Sequence, residues 1–352
     1  MKILFDNSIF FHQKVGGISR NIININNFLQ KNKIYSKIFS GIHINEYLKE
    51  RNAGLFISSI PLYTTKVLKL ANQYTLSLII KFYKPNILHR TFYTKITDYN
   101  KKIKNVITIY DLIHEIYFNK FNKKNIFDNT DIILCPSYKT KEDLIYYYNL
   151  PEEKIKISYI PINKFEVGIL KEKVIKENYI LYVGDRKRYK NFNNLILALS
   201  IKKKLLRNIK LVFFGGDNFN INEINFIKKN NLNLNNIIQI FGNDLILKNL
   251  YQNSNLLVFP SKYEGFGLPP LEAMSLGCPV TCSNHPAILE GTGDAAKIFD
   301  PNCPEDIADS IEKILINSDY KKKLILKGYE RAKLFDEEIH YKKLVEVYKK
   351  IL

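Results

Sequence analysis

Two carboxylates, Glu264 and Glu272, stand with seven residues between them around a Gly265-Phe266-Gly267-Leu268 turn. Ahead of them Leu256, Leu257, Val258 and Phe259 read as a buried parallel strand, and behind them Leu271, Ala273, Met274 and Leu276 recur at helical spacing until Gly277. The acids therefore fall at a strand–loop–helix junction, at the carboxyl end of a strand, where open α/β sheets take their ligands. The glycines let backbone approach a ligand closely, and a helix start offers N–H groups and a positive dipole end to phosphate. Carboxylates beside an anion repel it, so these acids suit hydroxyl donors such as those of a sugar. Phosphate and hydroxyls together describe a nucleotide sugar. An isolated pair of this spacing is better explained as an ordinary turn whose acids cap a helix. The glycines, Phe266 and the following Glu272-Ala273-Met274 string reverse that preference.

A second constellation is Val183-Gly-Asp-Arg-Lys-Arg-Tyr-Lys-Asn-Phe192. A strand ends at Gly184, and Arg186, Lys187, Arg188 and Lys190 crowd into the turn before a helix expected near Asn191. Such crowding costs mutual repulsion unless an anion binds there. Paired glycines recur at Gly16-Gly17, in a first βα loop that ends in Arg20; alone they read as a plain turn, or as a phosphate cradle. The segment Val106–Glu115 closes a strand with Asp111, His114 and Glu115 clustered, which are candidates for substrate contact or proton handling, against a turn with a capping acid.

From Pro260 to Val280 the chain resembles the donor-site signature of the retaining glycosyltransferases of family 4. That likeness implies the GT-B fold: α/β, with two Rossmann-like domains facing each other across a cleft. It implies that Arg186 and Lys190 neutralise a departing nucleotide diphosphate, leaving Lys187 and Arg188 solvated. Gly16 and Gly17 would face the donor, with Arg20 near the diphosphate or acceptor. The Gly265–Leu268 turn would line the donor, Glu264 would hold a hydroxyl of its sugar, and Glu272 would hold the ribose. Many relatives have His where this chain has Tyr110, so a catalytic histidine does not carry over; Asp111 matches by position and His114 is a local inference. Asn284–Ala296 resembles a downstream family element, with Glu290 and Gly293 shaping the nucleotide pocket. Phe241–Asp244 is expected to bring backbone to the base.

The expected function is retaining transfer of a hexose-type sugar from a UDP- or GDP-sugar to a hydroxyl of a growing surface glycan or lipid-linked saccharide. The alternatives are a catalytically degenerate GT-B protein that binds a nucleotide sugar or acts as a scaffold, and an epimerase of the same fold. No D-x-D motif is present, so neither cofactor nor metal is expected.

The elements that must position these residues alternate between strand and helix along all 352 residues, as in parallel α/β layers. Strands are expected at 2–6, 36–40, 87–88, 106–110 and 132–135, and again at 179–184, 209–214, 237–241, 256–259 and 279–282. Helices are expected at 19–31 and 138–148, with Ser137 as cap, and after Asn191, Asn222, Leu245, Leu271 and Pro304. The uneven stretch 163–178 reads as a linker. This gives an acceptor-side domain over 1–165 and a nucleotide-sugar domain over 166–335. A terminal helix at about 336–352 crosses back to the first domain, as the resemblance implies.

A hydrophobic content of 46% supports packed cores. No apolar run spans a bilayer; the best, Leu76–Tyr83, is interrupted by Lys81. Asp6 breaks any signal peptide at the start, so the expected place is the cytoplasm, at the inner face of the membrane if peripheral. Cys135, Cys278, Cys282 and Cys303 lack zinc-type spacing and read as core thiols. The net charge of +19 is dispersed over many segments, which argues against a nucleic-acid partner. Solvated helix faces account for it as well as an anionic membrane surface does.

Overall fold

The computed structural model describes residues 1–93, 102–118, 124–162, 172–204 and 208–352. Contacts gather the chain into two units, Met1–Ile160 with Glu338–Leu352, and Pro161–Glu337. Of the expected linker, residues 163–171 lie outside the described residues, and so does the expected boundary at 165.

The first unit contains β1 (Lys2–Phe5), β2 (Tyr35–Ile38), β3 (Ile42–His43), β4 (Leu55–Phe56), β5 (Ile87–Arg90), β6 (Lys104–Thr108), β7 (Ile132–Cys135) and β8 (Ile155–Ile157). Six of them form one parallel sheet in the order β2-β1-β5-β6-β7-β8, and β3 and β4 pair separately. Ile3, Leu4, Phe5, Ile133 and Leu134 are buried, because a parallel sheet is covered on both faces; such strands read as continuous apolar runs rather than alternating ones. The helix Glu337–Lys350 returns to this sheet. Its Tyr341, Leu344, Val345 and Tyr348 pack into the cluster of Ile3, Phe5, Ile22 and Ile87. Tyr348 Oη lies 2.6 Å from His89 Nδ1, and His89 Nε2 lies 2.9 Å from Thr108 Oγ1. Burial, then the neighbouring Arg90 charge, push the His89 imidazole down to about 3.

The helix Thr65–Tyr83 was not anticipated beyond its apolar tail. Leu76, Ile79, Ile80 and Tyr83 pack inward against Leu4, Phe39, Leu88 and Ile103. On the opposite face Val67, Leu70, Tyr74 and Phe82 are exposed, following an exposed Leu62 and Tyr63. Apolar residues on both faces blur the 3.6-residue period by which a helix is recognised.

The second unit holds β9 (Tyr179–Val183), β10 (Lys210–Phe214), β11 (Ile237–Ile240), β12 (Leu256–Phe259), β13 (Val280–Ser283) and β14 (Lys297–Phe299). They form a parallel sheet in the order β11-β10-β9-β12-β13-β14. Ile180 pairs with Leu256 and Leu181 with Leu257 where β9 meets β12. The strand order reverses there, and ligands of doubly wound sheets bind at that switch point. Both constellations of the second half, the cation turn after β9 and the acid-bearing turn after β12, leave the sheet at this place.

The helix Leu268–Ser275 starts three residues earlier than its apolar period suggested. Gly267 takes φ 90° as its N-cap, and Pro269 and Pro270 pre-set the first turn without needing N–H partners. Behind it lies the unanticipated helix Ser318–Lys333, where Gly328 lets the backbone pass Met274: a Cβ there would sit 3.2 Å from Met274 Cγ.

Candidate functional site

The turn after β9 is built by hydrogen bonds to its own backbone. Tyr182 Oη donates to the Asp185 carbonyl at 2.6 Å; burial, then the Asp185 and Glu264 charges, hold this phenol well above its usual range, so it stays a donor. Residues Arg188–Lys190 make one 3-10 turn, and Asn191 turns the chain into the helix Phe192–Ile201 at φ 62°. Asn191 Nδ2 donates to the Pro301 carbonyl at 2.6 Å, fixing that left-handed residue.

Three of the four crowded cations meet carboxylates of the chain itself. Lys190 Nζ lies 2.6 Å from Glu264 Oε1, with side chains only 15% and 12% exposed. Arg186 Nε lies 2.9 Å from Glu223 Oε1. Lys187 Nζ lies 2.9 Å from Asp185 Oδ2. Internal acids thus offset the crowded charge, and the crowding does not by itself demand a bound anion. Lys190 and Glu264, expected to take separate partners, are brought together across the β9–β12 junction. Lys190 also lies over the Phe259 ring, 5.3 Å from its centroid.

Arg186 is held on one edge. Its NH2 group donates to the Asp217 carbonyl at 2.5 Å and to Glu223 Oε2 at 3.4 Å, and its guanidinium lies 4.2 Å from the Phe219 ring centroid. Its NH1 is buried and has no hydrogen-bond partner. An unmet buried donor of this kind costs about 1–3 kcal/mol, more when charged. NH1 lies beside Gly216, whose added Cβ would fall 3.3 Å from it, and Lys190 Nζ lies 3.8 Å from the corresponding point at Gly184. Both glycines have positive φ, 72° and 126°. The two cations thus point at side-chain-free backbone at the ends of β9 and β10.

Glu264 is 9% exposed and Glu272 7%. Glu272 is the fifth residue of its helix rather than its beginning. Its Oε2 accepts from Tyr251 Oη at 3.1 Å; burial and the adjacent carboxylate keep that phenol well above its ordinary range. Within the turn, the Phe266 ring is buried against Phe335, with centroids 5.4 Å apart. That residue therefore has only its backbone to offer a donor, as Gly265 and Gly267 do. Prolines at 269 and 270 leave Gly267 and Leu268 as the N–H donors of the helix start.

A Cβ on Gly16 would fall 2.2 Å from the Gln13 carboxamide, the movable end of a flexible side chain, whereas one on Gly17 would meet nothing within 4 Å. Gly17 opens the helix Gly17–Lys31. Arg20 donates to Tyr47 Oη at 2.7 Å. Asp111 Oδ1 accepts from the Ile113 amide at 3.0 Å, capping the turn into Ile113–Phe118, and His114 packs on Phe118 at 5.9 Å. Tyr110, in the position of the family histidine, is buried; it accepts from Asn21 Nδ2 at 3.3 Å and burial pushes it to about 12. Asn21 Oδ1 accepts in turn from Tyr341 Oη at 3.1 Å. Tyr110 is a packed phenol, with no proton-accepting role near neutral pH.

Sequence reasoning missed Glu223, Phe219 and Tyr251. Asn220 and Glu223 form a capping box at the start of the helix Ile221–Lys229, and that N-x-x-E spacing was legible; that the same carboxylate clamps Arg186 was not. Among the described residues, no three or more His, Cys, Asp or Glu side chains are placed to share a metal, and no helix is long and apolar enough to cross a membrane. Cys135, Cys278 and Cys282 are buried and take part in no disulfide.

Residues 169–331 match the family model of the glycosyl transferases group 1. That segment, a little under half of the chain, is similar to the group 1 glycosyl transferases. The O-antigen chain mannosyltransferase B of Escherichia coli is 29% identical over 233 residues, 63% of this chain and 61% of that protein. The match thus spans less than two thirds of that relative's length. The O-antigen chain mannosyltransferase RfbU of Salmonella typhimurium is 27% identical over 295 residues, 79% of this chain and 80% of that one. Among solved structures, Anabaena Alr3699/HepE in complex with UDP and glucose superposes with a TM-score of 0.77 at 15% identity, covering 100% of both chains. This last likeness shows the fold, which is GT-B. Both constellations of the second half, Arg186 with Lys190 and Glu264 with Glu272, lie inside the matched segment.

Proposed function

We propose that this protein transfers a hexose, with retention, from a UDP- or GDP-sugar to a hydroxyl of a growing surface glycan or lipid-linked saccharide. The observation that carries the reading is the junction of β9 and β12, where Lys190 meets Glu264 at 2.6 Å while Arg186 NH1 is buried without a partner beside Gly216. A diphosphate there satisfies NH1 and draws Lys190 toward phosphate oxygen, which leaves Glu264 to accept from a sugar hydroxyl. Glu272 takes the ribose, and the Gly267 and Leu268 amides take phosphate oxygen at the helix start. The bond from C1 of the sugar to the diphosphate oxygen breaks, and a bond from C1 to the acceptor oxygen forms on the same face. The acceptor's proton leaves with the diphosphate. The fixed cations and amides stabilise the charge that develops on that leaving group, and the reaction runs without a metal. Asp111 and His114 are assigned to the acceptor side. The mannosyltransferase names of the two bacterial relatives favour mannose among the hexoses. A thermal-shift series with UDP, GDP and ADP tests the reading, because ligand bound to the native state raises its stability. A rise with none of the three contradicts it. The catalytically silent alternative draws on Tyr110, and it predicts binding without donor hydrolysis or transfer.

An anionic bilayer surface is proposed as the further partner. The outer face of Thr65–Tyr83 exposes Val67, Leu70, Tyr74 and Phe82, and Lys66, Lys81 and Lys84 are exposed with them. No acid occurs from Asn52 to Thr97, so charge complementarity favours anionic lipid. Co-sedimentation with phosphatidylglycerol vesicles, lost in Leu70→Ser/Phe82→Ser and absent with phosphatidylcholine alone, is the expected result; equal binding to both lipids contradicts it.

A further inference from the structure

Arg186 is gripped in a way that the diphosphate assignment does not by itself require. Its Nε and NH2 face the two oxygens of Glu223, NH2 also reaches the Asp217 carbonyl, and the guanidinium plane rests on Phe219. Only 3% of the Arg186 side chain is exposed. Three directions are thereby fixed, and the one edge left over is NH1, buried, unpartnered and beside Gly216. Arginine carries five N–H donors in a rigid fork, so holding one edge dictates where the other points. Glu223 is itself immobilised: its Oε2 accepts from the Asn220 amide at 2.9 Å, and its own amide donates to Asn220 Oδ1 at 3.0 Å.

We infer that Glu223 is a positioning residue, which with Phe219 pre-orients Arg186 so that NH1 meets the β-phosphate of a nucleoside diphosphate. This rests on the reading of Arg186 as a diphosphate contact. The Glu223 charge lowers the net pull of Arg186 on an anion, and the fixed direction compensates, because the arginine is already aimed and only the Gly216 backbone beside NH1 must give way when phosphate arrives. The capping box does double service: it starts the helix Ile221–Lys229 and holds the carboxylate that aims the arginine.

The readout is the ratio of the Kd of a nucleoside monophosphate to that of the diphosphate, measured by calorimetry with GMP and GDP and with UMP and UDP. That ratio isolates the β-phosphate contact, and a merely structural role does not move it. Glu223→Ala is expected to shrink the ratio roughly tenfold, the scale of one charged hydrogen bond. Asn220→Ala removes the Oδ1 cap but keeps the residue-220 amide that holds the Glu223 carboxylate; it is expected to lower the melting temperature and leave the ratio alone. In an Arg186→Ala background, Glu223→Ala is expected to change the ratio no further, since residues acting through one contact are not additive. If Glu223→Ala shrinks the ratio as much without Arg186 as with it, or leaves it unchanged in the parent, the positioning role is overturned while the diphosphate site stands. If Arg186→Ala itself leaves the ratio unchanged, or if the parent binds neither diphosphate, the diphosphate reading falls and this inference with it.

Discussion

Lys190 and Glu264 leave two neighbouring strands of one sheet and meet at 2.6 Å, each more than four-fifths buried. The two side chains therefore neutralise one another; under the proposed function a bound donor separates them, phosphate taking Lys190 and a sugar hydroxyl taking Glu264. The stability and the chemistry of the site are coupled through this pair.

Lys190→Met is expected to strand Glu264 as a buried carboxylate and to destabilise the protein by about 1–3 kcal/mol, since an uncompensated charge costs more than the pair contributes. Chemical denaturation measures this. Lys190→Met/Glu264→Gln is expected to recover most of the loss; a double variant as unstable as the sum of the singles removes the coupling.

Loss of both leaving-group cations is expected to abolish turnover. Arg186→Ala/Lys190→Ala should lose roughly 2–4 kcal/mol of transition-state stabilisation, read as kcat/KM at a temperature where the variant remains folded. Near-parental activity contradicts the diphosphate assignment.

Five strands of each six-stranded sheet were legible, most plainly those buried along their whole length, which appear as unbroken apolar runs, such as Tyr179–Val183 and Leu256–Phe259; the short edge strands Ile155–Ile157 and Lys297–Phe299 were not. Boundaries moved where backbone geometry, not apolarity, sets them: Gly267 in its left-handed conformation starts a helix that the apolar period placed at Leu271. The two-residue strands Ile42–His43 and Leu55–Phe56 leave no period to read. The site residues were legible as types and spacings. Their partners were not, because Glu223 is 37 positions from Arg186 and Glu264 is 74 from Lys190, and such pairings exist only once the sheet order is known.

Acid should weaken the first unit through His89. Its folded pKa of about 3 lies below the usual 6.5, so between those values the unfolded chain binds a proton that the native state refuses. The stability held by a neutral His89 is complete above about pH 6.5 and is lost as pH falls toward 3, on the order of 1.4 kcal/mol per unit. Denaturation midpoints at pH 7 and pH 5 measure it, and His89→Gln should flatten the dependence. An unchanged slope in that variant assigns the acid sensitivity elsewhere.

Turnover is expected to survive EDTA, with the cations and helix-start amides serving the leaving group. Complete loss in chelator, restored only by Mn²⁺ or Mg²⁺, contradicts a metal-free mechanism.

Under the proposed function one donor lies over the β9–β12 junction with its ribose at Glu272 and its sugar at Glu264. Calorimetric titration of GDP, UDP and the matching nucleotide sugars into the parent, Glu264→Gln and Glu272→Gln tests it most directly. The account predicts that Glu272→Gln weakens nucleotide and nucleotide sugar alike, by about 1.5–3 kcal/mol for a charged hydrogen bond. Glu264→Gln is predicted to spare the bare nucleotide and impair the sugar-bearing ligand and its transfer. Loss of bare nucleotide binding in Glu264→Gln, with Glu272→Gln unaffected, would contradict the account.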